Sequence, residues 1–199
     1  GLYPTVYHAL LGNEPSEKAI RATALTYLKL LPSDIDLVGA EIELVTLEQR
    51  EYRLRTALEP VVKAYDYVIV DCPPSLGLLT INALVAADRV LVPLQCEFYA
   101  LEGLTHLLKT VKLVRERLNP ALSVAGIVLT MFDGRTSLAL QIRDEVLQYF
   151  PGQIFDTVIP RNVRLTEAPS YGKPVMLHDL RSSGSIAYLE LTREVLQHE

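Results

Sequence analysis

The sequence is poor in the residues that build metal and redox centres: two cysteines, four histidines and no tryptophan. Cys72 and Cys96 form no C-x-x-C pair and have no Cys/His cluster around them. A zinc site or a disulfide framework is thereby disfavoured, and two buried thiols in a reducing cytosol are expected. His8, His106, His178 and His198 are scattered without metal-ligand spacing. The sequence shows no signal-peptide pattern, and no apolar run approaches the roughly 20 residues that a membrane span needs. A soluble, cytoplasmic chain is expected. There is no G-x-S-x-G elbow and no G-x-x-x-x-G-K-[ST] phosphate loop, since Gly172-Lys173 runs into Pro174 and cannot open a helix. Positive charge is also in deficit, with 19 Lys and Arg against 24 Asp and Glu and a net charge of −5. That sign excludes a generally basic nucleic-acid binder, so any such contact must come from a local patch.

What is present is apolar and regularly patterned. With 199 residues, 49% of them hydrophobic, the chain can bury a sizeable core, and 1–199 reads as one domain without repeats or linkers. Apolar runs alternate with longer amphipathic stretches, the mark of a doubly wound, mainly parallel α/β sheet with helices on both faces. The expected strands are Tyr27–Leu31, Tyr67–Asp71, Arg89–Pro93, Val124–Thr130 and Ile154–Ile159. The expected helices are Gly39–Tyr65 (broken or kinked at Pro60), Leu78–Ala87, Glu102–Leu118, Ser137–Phe150 and Ser185–Gln197.

In such a sheet, chemistry collects beyond the carboxyl ends of the strands. The run Tyr67-Val68-Ile69-Val70-Asp71-Cys72-Pro73-Pro74 delivers a carboxylate at a strand end, where a Walker B aspartate holds Mg²⁺ through water. Pro73 and Pro74 stiffen the loop after it. A buried strand that merely ends in Asp gives the same pattern, and both readings stand. In Thr130-Met131-Phe132-Asp133-Gly134-Arg135 the Asp-Gly pair is first a turn. Alternatively, Met131 and Phe132 would lie near a flat apolar ligand such as adenine, with Arg135 projecting outward. Pro160-Arg161-Asn162 follows another strand and offers backbone groups and an amide for a base edge, though these are also common loop residues. From Arg161 to Arg181 the cations Arg161, Arg164, Lys173 and Arg181 face only Glu167 and Asp179, which reads equally as a binding patch or as an ordinary solvated surface.

Taken in order, Leu30–Leu44, Asp71–Leu84, Pro93–Gly103, Leu129–Thr136 and Val158–Pro174 resemble the ParA/Soj family of partition ATPases almost from end to end. The resemblance implies a P-loop NTPase-like fold, ATP and Mg²⁺ as cofactors, and an ATP-dependent homodimer that binds double-stranded DNA without sequence preference. It also implies a ParB/Spo0J-type partner that stimulates hydrolysis, and a cytoplasmic, nucleoid-associated location. By position, Asp71 is the Walker B carboxylate and the Mg²⁺ anchor, and Pro73-Pro74 begin a phosphate-sensing switch. Thr130, Met131 and Asp133, with Pro160, Arg161 and Asn162, correspond to the adenine-side segments, and Arg135 and Arg164 to DNA-binding arginines. The family pattern opens with a βαβ unit carrying the phosphate loop, which this sequence does not contain. The chain therefore reads as the C-terminal major part of such an ATPase, not competent for hydrolysis alone. A nucleotide-free truncated binding fragment is one rival reading. A MinD-like positioning ATPase is the other, but it would end in a basic amphipathic helix, whereas here Glu190, Glu194 and Glu199 face Arg193 alone. No membrane partner is expected.

Overall fold

The computed structural model describes residues 3–73 and 75–197. Contacts group them into two compact units, Gly1–Asp88 with Thr110–Leu122, and Arg89–Lys109 with Ser123–Glu199.

The first unit is mainly helical. It contains α1 (Val6–Leu11), α2 (Ser16–Ala19), α3 (Leu37–Glu43), α4 (Arg53–Leu58) and α5 (Leu78–Ala86), with a two-residue antiparallel pair, β1 (Arg21–Ala22) and β2 (Lys29–Leu30). Leu10, Leu54 and Ala83 form its apolar centre. Two asparagines tie its segments together. The side chain of Asn82, 1% exposed, accepts from the Leu54 amide at 3.0 Å and donates to the carbonyls of Arg50 and Leu78 at 2.8 and 3.0 Å. Asn119 donates to the carbonyls of Leu84, Val85 and Ala87 at 2.7–3.2 Å, capping the open end of α5. Buried amides persist only when their hydrogen-bonding capacity is met, so each asparagine fixes the register of the elements it joins.

The long helix expected over Gly39–Tyr65 is broken into α3, three short 3₁₀ turns and α4. The helix α4 ends at Leu58, just before Pro60 as expected, and a further break falls at Gln49, whose φ of 52° lies in the left-handed region. Of the strand expected over Tyr27–Leu31, only Lys29–Leu30 pairs. Tyr67–Asp71, also expected as a strand, forms no ladder among the described residues. Its apolar side chains face outward, with Ile69 91% exposed.

The second unit carries the parallel sheet, with β3 (Arg89–Gln95) pairing β4 (Ser123–Thr130) in parallel. Side chains alternate across β4. Ile127 and Leu129 face a core shared with Val92 and Leu94 of β3, Leu104 of α6 (Ala100–Arg117), and Ile142 and Val146 of α7 (Ser137–Tyr149). Val128 faces a second core built from Phe155, Ile159 and α10 (Ser183–Gln197), through Ala187 and Leu191. Burial on both faces is what a continuous aliphatic run requires of a strand. A register shift bends the ladder where Val90/Leu91 face Val124/Gly126, and Gly126 is needed there because a Cβ would stand 2.6 Å from the Phe155 ring. The strand expected over Ile154–Ile159 touches β4 at both ends: the Phe155 amide donates to the Ile127 carbonyl at 2.9 Å and the Ile159 amide to Leu129 at 2.8 Å. Between these points the amides of Asp156 and Thr157 donate to the Glu194 carboxylate of α10, at 2.6 and 3.0 Å. That side chain takes the Thr157 amide, which a continuous strand would have given to β4, along with the Asp156 amide, which would have faced away from it. Two short helices, α8 (Val163–Glu167) and α9 (Val175–His178), precede α10.

Candidate functional site

Asp71 and Pro73 belong to the first unit; Pro74 lies outside the described residues. Asp71 lines an open cavity of about 440 Å³ together with Ser33, Asp34, Glu41, Cys72 and Ser75. Three carboxylates and two serine hydroxyls reach it, and no Lys or Arg is among the described residues lining it. One oxygen of Glu41 is buried without a hydrogen-bond partner among the described residues, beside Gly77 at the start of α5. An orphaned carboxylate oxygen with two further carboxylates suits a hydrated cation and repels a polyphosphate. Among the described residues no three His, Cys, Asp or Glu side chains are close enough to hold a metal directly. The two thiols expected to be buried are not: Cys72 is exposed and Cys96 half-buried; partial desolvation, then the neighbouring Asp71 carboxylate, still push the Cys72 thiol pKa up.

The other candidates lie in the second unit, where the ladder brings two sequence-distant segments together. Phe132 and Pro160 form a parallel bridge; the Phe132 amide donates to the Ile159 carbonyl at 3.0 Å and the Arg161 amide to the Phe132 carbonyl at 3.1 Å. Thr130–Asp133 and Pro160–Asn162 therefore sit side by side at the carboxyl end of β4. Between Thr130 and Phe132, Met131 takes a φ of 50°. This left-handed conformation costs free energy in a residue other than Gly, Asn or Asp, and such strain collects at ligand sites. Asn162 is not free to read a base edge in this structure. Its Oδ1 accepts from the Arg164 amide at 2.8 Å, capping α8, and its Nδ2 donates to the Ser183 hydroxyl at 2.8 Å.

Both candidate DNA-binding arginines are exposed at the carboxyl-end side of the sheet, and both are ion-paired. Arg135 grips Asp133 through two parallel hydrogen bonds, at 2.8 and 2.7 Å. That guanidinium, with the Arg135 amide, holds the Asp133 carboxyl at about 2. Arg164 donates to Glu167 at 2.7 Å and lies 3.4 Å from Asp179, and His178 stands 3.5 Å from Glu167. The Arg164 hydrogen bond, then that of His178, lowers the Glu167 pKa. Charge counting in the sequence could not assign these partners, nor pick out Glu41 or Asn82, because sequence spacing carries no pairing information.

The family model described as an AAA domain matches residues 2–124, placing the chain in that class. The chain is 54% identical over 98% of its length to the chromosome partitioning protein ParA of Myxococcus xanthus, spanning 69% of that protein. It is 55% identical over 96% of its length to the sporulation initiation inhibitor protein Soj of Bacillus subtilis, spanning 75% of it. The crystal structure of cobyrinic acid a,c-diamide synthase from Mycobacterium smegmatis, with bound ADP and magnesium, superposes with a TM-score of 0.83 at 36% identity. It covers 98% of this chain and 72% of that one. The fold is thus the doubly wound, P-loop NTPase-like α/β fold expected from the sequence. Within the AAA-domain class, this chain belongs to the ParA/Soj family of partition ATPases.

Proposed function

We propose that the chain serves chromosome or plasmid partitioning as the larger part of a ParA-type ATPase. It would bind Mg-ATP as a homodimer, hold double-stranded DNA without sequence preference, and answer to a ParB-type partner. The observation that carries this reading is identity above 50% to two partition proteins over nearly the whole chain, with Asp71 lining an acidic cavity. The similar structure named as a diamide synthase stands at 36% identity, so the partition proteins weigh more. No described helix is long and apolar enough to cross a membrane.

In this reading Asp71 orients the water shell of Mg²⁺, and the bound metal would neutralise charge on the transferring phosphoryl group. The segments around Met131 and Pro160 would flank the base, with backbone groups of Arg161 and Asn162 at its edge. Arg135 and Arg164 would contact phosphodiesters, which explains indifference to sequence, since backbone contacts carry no base information.

Because no Lys or Arg is among the described residues lining the Asp71 cavity, the 199-residue chain alone should show no micromolar affinity for Mg-ATP in titration calorimetry. Joined to the part of the Myxococcus relative that it does not match, it should hydrolyse ATP, and Asp71→Ala should abolish that turnover. Micromolar binding by the chain alone would refute the reading of the cavity. Failure of the joined protein to hydrolyse ATP would refute the proposed function.

A further inference from the structure

Arg164 carries the only positive charge of α8, yet it stands between two carboxylates. Its Nη1 donates to Glu167 Oε2 at 2.7 Å, and its Nε lies 3.4 Å from Asp179 Oδ2. Asp179 is held where it is, because its other oxygen accepts from the Arg181 amide at 3.1 Å. Its carbonyl also accepts from the hydroxyls of Ser182 and Ser185, the latter fully buried. Arg135 is engaged in the same way, by both oxygens of Asp133. By contrast, among the described residues no carboxylate lies within ion-pair distance of Arg161, Lys173 or Arg181, all exposed. The arginines that the DNA reading needs are therefore neutralised, while these neighbouring cations have no such close ion pair among the described residues.

A carboxylate and a phosphodiester present the same pair of oxygens to a guanidinium, so they compete for one set of donors. Exposed ion pairs are weak enough to exchange, but the displaced carboxylate stays beside the incoming phosphate and repels it. We propose that Glu167 and Asp179 gate Arg164, and Asp133 gates Arg135, each carboxylate occupying the place of a DNA phosphate until the duplex displaces it. This rests on the DNA-binding reading above. The gate holds a single copy of the surface at low affinity, so binding becomes firm only where two copies act together.

The test uses fluorescence anisotropy of a labelled random-sequence duplex with the chain joined to the unmatched part of the Myxococcus relative and loaded with Mg-ATP, at low ionic strength. Glu167→Gln should bind about two- to fivefold more tightly than the parent, the range over which exposed ion pairs act. The gain should vanish in the Arg164→Ala background. Glu190→Gln, which removes one negative charge from the exposed face of α10, should give no such gain. If Arg164→Ala weakens binding but Glu167→Gln does not strengthen it, the gate is wrong and the DNA reading stands. A gain from Glu190→Gln equal to that from Glu167→Gln would show a general charge effect and also overturn the gate. If Arg164→Ala changes nothing, or no variant binds, the DNA reading falls and the gate with it.

Discussion

Tyr67–Val70 and Ile127–Thr130 are near-equivalent apolar runs, each followed by candidate site residues, yet they meet opposite fates. Ile127 is fully buried in the core it shares with β3, α6 and α7, whereas Ile69 is 91% exposed. The difference lies in their neighbours. β4 pairs with β3 on one side, takes hydrogen bonds from Phe155 and Ile159 on the other, and has helices over both faces. The described residues give Tyr67–Asp71 no ladder. A hydrophobic run states that a segment gains by being covered; what covers it is a property of the rest of the fold.

The sharpest way to break that comparison is truncation at both isoleucines. Ile127→Ala should cost about 2–5 kcal/mol, because it opens a cavity in a packed sheet core. Ile69→Ala should stay within about 0.5 kcal/mol. Urea denaturation followed by circular dichroism measures both. Equal losses would mean that Ile69 is covered in solution, and a concentration dependence would identify a second copy as the cover.

A smaller effect is expected within the first unit. Asn82→Ala leaves the Leu54 amide and the Arg50 and Leu78 carbonyls without their side-chain partner, which should cost about 1–3 kcal/mol. The same denaturation reads it. A loss no larger than that of Ile69→Ala would show that this unit's segments do not depend on the asparagine.

The smallest effect is electrostatic. With its folded pKa held at about 2 against an ordinary 3.8, Asp133 contributes stability that is fully present above the ordinary value. That contribution fades as pH falls through about 2. Because the pair is exposed, little global stability rides on it. Carboxyl-carbon NMR should show Asp133 titrating far below other exposed aspartates, and Arg135→Ala should return it toward them. An ordinary midpoint in the parent protein would show that the ion pair does not persist in solution.

Much of the second unit was legible in the sequence. Continuous aliphatic runs gave Arg89–Pro93 and Val124–Thr130, and amphipathic periodicity gave the helices Ala100–Arg117, Ser137–Tyr149 and Ser183–Gln197 within a few residues, but not the short Val163–Glu167 and Val175–His178. Less of the first unit was legible. Gly39–Tyr65 has helical periodicity throughout, and Pro60 marks the end of its second helix, but the further break at Leu44–Gln49 is set by tertiary packing and carries no Pro or Gly to announce it. The strand over Ile154–Ile159 failed for a similar reason: a side chain 38 residues away, Glu194, competes for its amides.

For the candidate site, sequence by itself determined the residue types: Asp71 after an apolar run, the Thr130–Arg135 and Pro160–Arg164 turns, and a cluster of arginines in an otherwise acidic chain. Those are local properties, fixed by composition and period. Only the tertiary structure decided that Phe132 bridges Pro160, that Asn162 spends its amide capping α8, and that Arg135 and Arg164 are already held by carboxylates. Such outcomes depend on which groups come within about 3 Å of each other, the range over which hydrogen bonds and close ion pairs act. Charge and hydropathy along a chain give the inventory of those groups, and folding selects the pairs.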